Sequence, residues 1–226
     1  MSRTPLPAGD KKEEWILVDS TPASCVQIGL FHYFKDRGPV DLVISGPNYG
    51  RNTTAVFALS SGTLGGALEA AVCGVKAVAL SFAFMSRVHD SELIAAASRM
   101  GVRVIEALVK SWDERVHVYS VNIPLVPNVE STKVLWTRML QNSWKSGSCF
   151  TEMEVPAGED DNPEEDEHRI RLAERRGGAS PTNSVENGVL VHKHFKWTPT
   201  FKDVYESVDQ APPGNDGWAV KEGYIR

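Results

Sequence analysis

Two short segments of this chain carry residue types that can do chemistry at a shared site. The first is Gly46-Pro47-Asn48-Tyr49-Gly50-Arg51-Asn52 and the second is Ser61-Gly62-Thr63. Glycines let a backbone turn sharply and approach a ligand with no Cβ in the way. Each asparagine side chain offers an oxygen that can coordinate a metal and an amide that can donate to a phosphate. Ser-Gly-Thr at a helix start adds free backbone N–H groups, two hydroxyls and the positive end of the helix dipole, which together favour an anion. Aimed at one pocket, the two segments would bring a metal ion and a phosphate together. The residues also fit a plainer reading, in which Asn and Gly make a turn and Ser61 caps a helix. No Gly-Lys-Ser/Thr follows, so the pattern is not a P-loop, and the glycine spacing is not that of a dinucleotide fingerprint.

Both segments lie between elements that would position them. Val40 to Ser45 is an apolar run of strand length that leads into the first segment, and Ser61 opens a helix. Leu64, Ala67, Leu68, Ala71 and Val72 share one face of that helix. Upstream, Trp15 to Val18 reads as a short buried strand, and Thr21-Pro22 starts a helix expected to reach Phe34. Downstream, Val75 to Phe82 is a strand apolar on both faces, Asp90-Ser91 caps a helix to about Trp112, and Val116 to Ile123 is a further strand ended by Pro124. Strands and helices alternate, which predicts an α/β domain with a parallel sheet between helical layers. Ligands of such sheets gather at the carboxyl ends of the strands, where Gly46 to Asn52 falls.

Composition narrows the function classes. The chain has 226 residues and a net charge of -5, so a general nucleic-acid-duplex or membrane-surface coat is not expected. Cys25, Cys73 and Cys149 are far apart, without the paired spacing of a zinc knuckle. The first fourteen residues are polar and carry no apolar leader core, and no apolar run is long enough to span a bilayer, so a cytoplasmic location is expected. Residues 1–14 read as a flexible tail and 15–150 as the α/β core. Residues 151–188 combine Gly-Glu-Asp-Asp-Asn-Pro-Glu-Glu-Asp-Glu with a later group of arginines, and read as a disordered acidic and basic insertion. Residues 189–226 are expected to complete the domain. Val134-Leu135-Trp136 is a further candidate strand.

Val40-Asp-Leu-Val-Ile-Ser-Gly-Pro-Asn-Tyr-Gly-Arg-Asn52 together with Ser61-Gly-Thr-Leu-Gly-Gly-Ala-Leu-Glu69 resembles the signature of the survival-protein SurE family of nucleotidases and phosphatases. Val18-Asp-Ser-Thr-Pro-Ala-Ser-Cys-Val26 is similar to another family segment, with Ser24 where many members carry Asp. Val121-Asn122-Ile123-Pro124 and Gly217 to Ile225 resemble family segments more faintly, and the long insertion is like that of the fungal branch, whose members can be joined to a tubulin-tyrosine-ligase-like module. The resemblance implies a Rossmann-like three-layer α/β/α fold. It implies a divalent metal ion, Mg²⁺ or Mn²⁺, and hydrolysis of nucleoside monophosphates or similar phosphomonoesters. Carried over by position, Asn48 would be a metal ligand, and Asn52, Ser61, Gly62 and Thr63 would hold the phosphate. A homodimer or tetramer is implied as well.

The chain departs from the family pattern in one place that matters. Members begin with a strand ending in Asp-Asp-Gly, and no such segment precedes Trp15. The core is therefore expected to be incomplete at its N-terminus and to expose a strand edge. Asn48 is neutral, whereas a hard divalent ion takes several oxygen ligands, usually with carboxylates among them. The catalytic residues stay unassigned, and Asp10 and Asp19 are not promoted to that role. A non-catalytic domain that keeps a phosphate pocket is the alternative, and a nucleotide-binding module without hydrolysis is a third reading. Arg87 and His89 follow the third strand and could approach the site, while Asp90 reads as a helix cap and Glu69 lies within the second helix. His192 and His194 share a strand face without a third ligand, and Trp136, Trp144 and Trp197 read as packing residues.

Overall fold

The computed structural model describes residues 15–84, 89–153 and 194–226. These residues form two compact units, one built from residues up to Ser143 together with Val204–Arg226, the other from Trp144–Asp203.

The larger unit is organised on a three-stranded parallel sheet, β1 (Leu42–Tyr49), β2 (Lys76–Ala83) and β3 (Val118–Pro124), in that spatial order. β2 is the middle strand and shows how the layers form. Val78, Leu80 and Phe82 point to one face, and Ala77, Ala79 and Ser81 to the other, as strand geometry requires. The larger side chains pack on α4 (Ser91–Lys110), through its buried Ala97, Met100 and Val104. The alanines pack on Ala67 and Ala70 of α3 (Gly62–Val72). Small residues on both partners let that helix lie close to the sheet. Helices on both sides of a parallel sheet confirm the α/β/α expectation.

The three helices expected from the sequence start where it predicts. Thr21 caps α1 (Pro22–Ile28) by accepting from the Ser24 N–H, Ser61 caps α3 by accepting from the Leu64 N–H, and the Asp90 carboxylate accepts from the N–H groups of Glu92 and Leu93. The first helix ends earlier than expected as an α-helix. It continues as one wider π-turn over Gly29–Tyr33 before reaching Phe34.

Other expectations are corrected. Trp15 to Val18 is not a strand. It pairs with nothing in the sheet, and the Trp15 side chain is 83% exposed. β1 is accordingly an edge strand among the described residues, with Ile44 46% exposed. The segment after Ser45 is not all loop, because β1 runs on to Tyr49, and a short helix unforeseen in the sequence, α2 (Thr54–Ala58), follows it. Val134 makes only an isolated bridge to Ile225, so Val134 to Trp136 is no strand of the main sheet. The C-terminal residues form two helices, α5 (Lys202–Gln210) and α6 (Asp216–Lys221), before the chain turns back toward β3.

In the smaller unit, β4 (Phe150–Met153) pairs antiparallel with β5 (His194–Trp197). Phe201 lies 6.1 Å from the Trp144 ring, a partly buried packing residue as expected, and 5.8 Å from that of Trp197, which is 58% exposed. The expected disordered segment began at residue 151, but Thr151 to Met153 belong to β4. The rest of that segment, with Val189 to Val191 and His192, lies outside the described residues, as do the first fourteen residues and Arg87.

Candidate functional site

The two segments singled out from their chemistry sit at one edge of the sheet. β1 gains an extra residue between Ser45 and Asn48, because Ser45 pairs with Ala79 but Asn48 with Ser81. The extra length is taken up at Gly46, whose φ is +120°, and at the cis Gly46-Pro47 bond. Any Cβ at residue 46 would collide with the Leu80 carbonyl, so only glycine fits. The bulge places Asn48 on the carboxyl-terminal end of β1, half-buried, with its Nδ2 donating to the Gly50 carbonyl at 2.9 Å. That bond turns the amide so that Oδ1 is the atom left to accept or to coordinate.

α3 returns antiparallel to β1 and brings its N-terminus to the same edge. Gly66 backs onto Ser45 and Gly62 abuts Pro22, both so closely that a Cβ would come within 2.7 Å of Ser45 Oγ or 3.1 Å of Pro22 Cγ. Ser61 Oγ is committed to the Leu64 N–H and the Ser61 carbonyl to the Gly65 N–H. The N–H groups of Gly62 and Thr63 are the first two of the helix and have no intrahelical acceptor. Beside them, Ser20, Thr21 and Ser24 form a hydroxyl cluster with Oγ separations of 2.9 and 3.0 Å.

Asn52 is placed differently. It is only 6% exposed, and every link it makes runs to distant sequence. Its N–H donates to Asn122 Oδ1 at 2.8 Å, its Nδ2 donates to Ser81 Oγ at 2.8 Å, and its carbonyl accepts from Arg226 Nη2 at 2.9 Å. Two residues on, Thr54 holds φ at +65°, an uncommon value that is an outlier for a β-branched residue. The Asp216 carboxylate, fully buried, stabilises that conformation by accepting from the Thr54 N–H at 2.7 Å. Asp216 also accepts from the N–H groups of Leu140 and Gly217, each at 2.8 Å. Arg226 lies 3.8 Å from it, and burial pulls the guanidinium below its ordinary pKa while Asp216 opposes that shift.

Sequence reasoning missed this anchoring set of Ser81, Asn122, Asp216 and Arg226. A signal existed for two of them. Ser81 and Asn122 are polar residues inside otherwise apolar strands, where a polar side chain is kept only if it is hydrogen-bonded. Of the other residues weighed, Asp90 is a helix cap, and Glu69 accepts from Gln27 Nε2 of α1. His89 stacks on Tyr49 at 4.6 Å, next to Phe84, so it does approach the end of β1. Trp136 is 81% exposed and tilted against Tyr119 rather than buried in packing.

A divalent metal is the group this arrangement has to be tested against. Among the described residues no three His, Cys, Asp or Glu side chains gather as ligands would. Asn48 Oδ1 is a neutral donor, and the one buried carboxylate nearby, that of Asp216, is spent on three N–H groups. The described residues therefore do not make a complete site for a hard cation.

Comparison with known proteins assigns the chain to a class. The family model described as survival protein SurE matches residues 2–146, and the chain belongs to that family. A 5'-nucleotidase SurE from Ruegeria pomeroyi is 39% identical over 145 residues, covering 62% of this chain and 54% of the relative. A probable tubulin–tyrosine ligase, PBY1, from Saccharomyces cerevisiae is 46% identical over 135 residues, covering 58% of this chain and 18% of the relative. The crystal structure of a SurE protein from Aquifex aeolicus superposes with a TM-score of 0.55 at 22% identity, covering 92% of this chain and 65% of that one, and supports the fold. The chain thus spans about half the length of the bacterial nucleotidase it matches and a smaller part of the yeast protein. Among the described residues no helix is long and apolar enough to cross a membrane.

Proposed function

We propose that this chain contributes the phosphate-recognition part of a metal-dependent phosphomonoesterase acting on nucleoside monophosphates. The observation that carries the reading is the α3 N-terminus. Ser61 shapes the first turn and leaves the Gly62 and Thr63 N–H groups and the Thr63 hydroxyl for an anion, at the strand edge where Asn48 presents its oxygen. Family membership supplies the reaction class, since matched relatives bear the name 5'-nucleotidase. In this reading Gly62 and Thr63 bind the phosphate oxygens and Ser61 orients them. Asn52 holds the loop between them and Asn48 at fixed length. A divalent ion, Mg²⁺ or Mn²⁺, would neutralise the phosphoryl oxygens when bound. Asn48 is the described residue suited to touch it, and further carboxylates are required.

A second reading rests on one specific observation, the lack of a ligand cluster among the described residues. It is a domain that binds a phosphomonoester without hydrolysing it. One experiment separates the two. Phosphate release from a panel of nucleoside monophosphates is measured with and without Mg²⁺ or Mn²⁺, alongside calorimetric binding of the same nucleotides. Metal-dependent release that N48A abolishes supports the hydrolase. Binding that needs Thr63 but yields no release supports the second reading. A folded chain that neither binds nor hydrolyses them defeats both.

A further inference from the structure

Arg51 falls between the two asparagines of the candidate loop, and its charge is not spent on the protein. Its guanidinium carbon lies 4.8 Å over the ring of Tyr205 in α5 and 5.9 Å from that of Phe57 in α2. All three residues belong to the larger unit. Arg51 is half-buried, yet among the described residues no carboxylate, carbonyl or hydroxyl oxygen accepts from its guanidinium. Cations at the surface are treated otherwise. Arg99 is bound to Glu130 at 2.9 Å and Arg115 to Asp113 at 2.7 Å, although both are exposed. A partly desolvated guanidinium without a counter-charge is the exception in this molecule, and it sits in the loop that carries Asn48 and Asn52.

The two rings hold the side chain and leave its chemistry unused. A cation is attracted to an aromatic ring, so Tyr205 and Phe57 fix where the guanidinium lies. Neither ring takes up the N–H edge as an oxygen pair does. That edge is a planar fork of donors, which fits two oxygens of one phosphate at once. The side chain also diverges from its neighbour. Asn52 turns inward to Ser81, the register partner of Asn48. Arg51 goes instead to α2 and α5. The loop therefore offers an amide oxygen at the end of β1 and, on another side, a cation with its donors unspent.

We propose that Arg51 binds a second phosphate group of the ligand, remote from the one at Gly62 and Thr63, a role that rests on the phosphate reading above. The chain then prefers a nucleoside bisphosphate to the corresponding monophosphate. Arg51 is the specificity-determining residue, because its fork touches the second phosphate. Tyr205 and Phe57 are positioning residues that act through it.

The test is calorimetry on the whole chain without added metal, comparing AMP with adenosine 3',5'-bisphosphate. The bisphosphate binds roughly tenfold or more tightly in the parent chain. R51Q brings the two affinities within about twofold of each other, and R51K, which keeps the charge but not the fork, falls between. Added salt narrows the gap in the parent chain and has little left to narrow in R51Q. Equal affinities in the parent chain overturn the proposal, and if T63A lowers both together the phosphate reading still stands. A preference that survives R51Q also overturns it, and a lowered urea midpoint in that variant then makes Arg51 a packing residue. Bisphosphate binding that R51Q abolishes and T63A does not supports the Arg51 contact and removes the phosphate reading. A folded chain that binds neither ligand overturns both.

Discussion

Asn48 and Asn52 lie four residues apart in one glycine-rich stretch, yet the molecule treats their surroundings in opposite ways. The Asn48 side chain bonds locally. Its amide serves the carbonyl two residues on, and its oxygen is left at the strand end. Around Asn52 the bonds are remote, reaching Ser81, Asn122 and Arg226, and Thr54 leans on Asp216. The difference teaches that residue type in a candidate ligand loop does not distinguish a side chain offered to a ligand from one consumed in holding the loop. Burial and the sequence distance of the partner do.

That contrast can be broken by substitution. The largest effect is expected from D216A. It leaves two buried and one partly buried N–H group without their carboxylate and Arg226 without its counter-charge, a loss of about 3–5 kcal/mol. Urea unfolding measures it, and a loss below ~1 kcal/mol would mean that the Thr54 conformation needs no anchor. N52A is expected to cost roughly 2 kcal/mol, because Ser81 then loses its buried partner. S61A removes one helix cap and should cost about 1 kcal/mol by the same measurement. N48A should change stability by less than ~0.5 kcal/mol while impairing phosphate release, and a stability loss matching that of N52A would erase the distinction drawn here.

The smallest effect gives a baseline away from both segments. Arg99 pairs with Glu130 at 2.9 Å on the surface and holds that carboxyl below its ordinary pKa. A lowered carboxylate pKa stabilises the fold above the unfolded value of about 4.3, and the benefit is lost as pH falls through the folded value. E130Q should therefore shift the urea midpoint slightly at neutral pH, with the gap from the parent chain closing below about pH 4.

The fold was legible where a local rule had no competitor. β2 announced itself as apolar on both faces, and Thr21, Ser61 and Asp90 are caps that act within three residues of themselves. The expected strand at Trp15 failed because an apolar run says nothing about whether a partner strand lies beside it. α2 was hidden because its first residue has a backbone conformation imposed from Asp216, 162 positions away. The site divided along the same line. Ser61, Gly62 and Thr63 sit at a helix start as their types and order suggest, whereas Asp216 and Arg226 act on a loop whose neighbourhood in sequence gives no hint of them.

The bond from Arg226 to the Asn52 carbonyl spans 174 positions, and this bears on how the molecule is made. During synthesis the ribosome releases the glycine-rich loop long before the residues that fix it. The sheet and α3 can assemble early from contacts of short range, but the loop must wait for Asp216 and Arg226 to arrive. Contacts so distant in sequence are reached slowly, after the entropy of closing the intervening chain has been lost. The nascent protein therefore acquires its sheet first and the conformation of this loop afterwards, with an interval in which a folded body carries an unset loop.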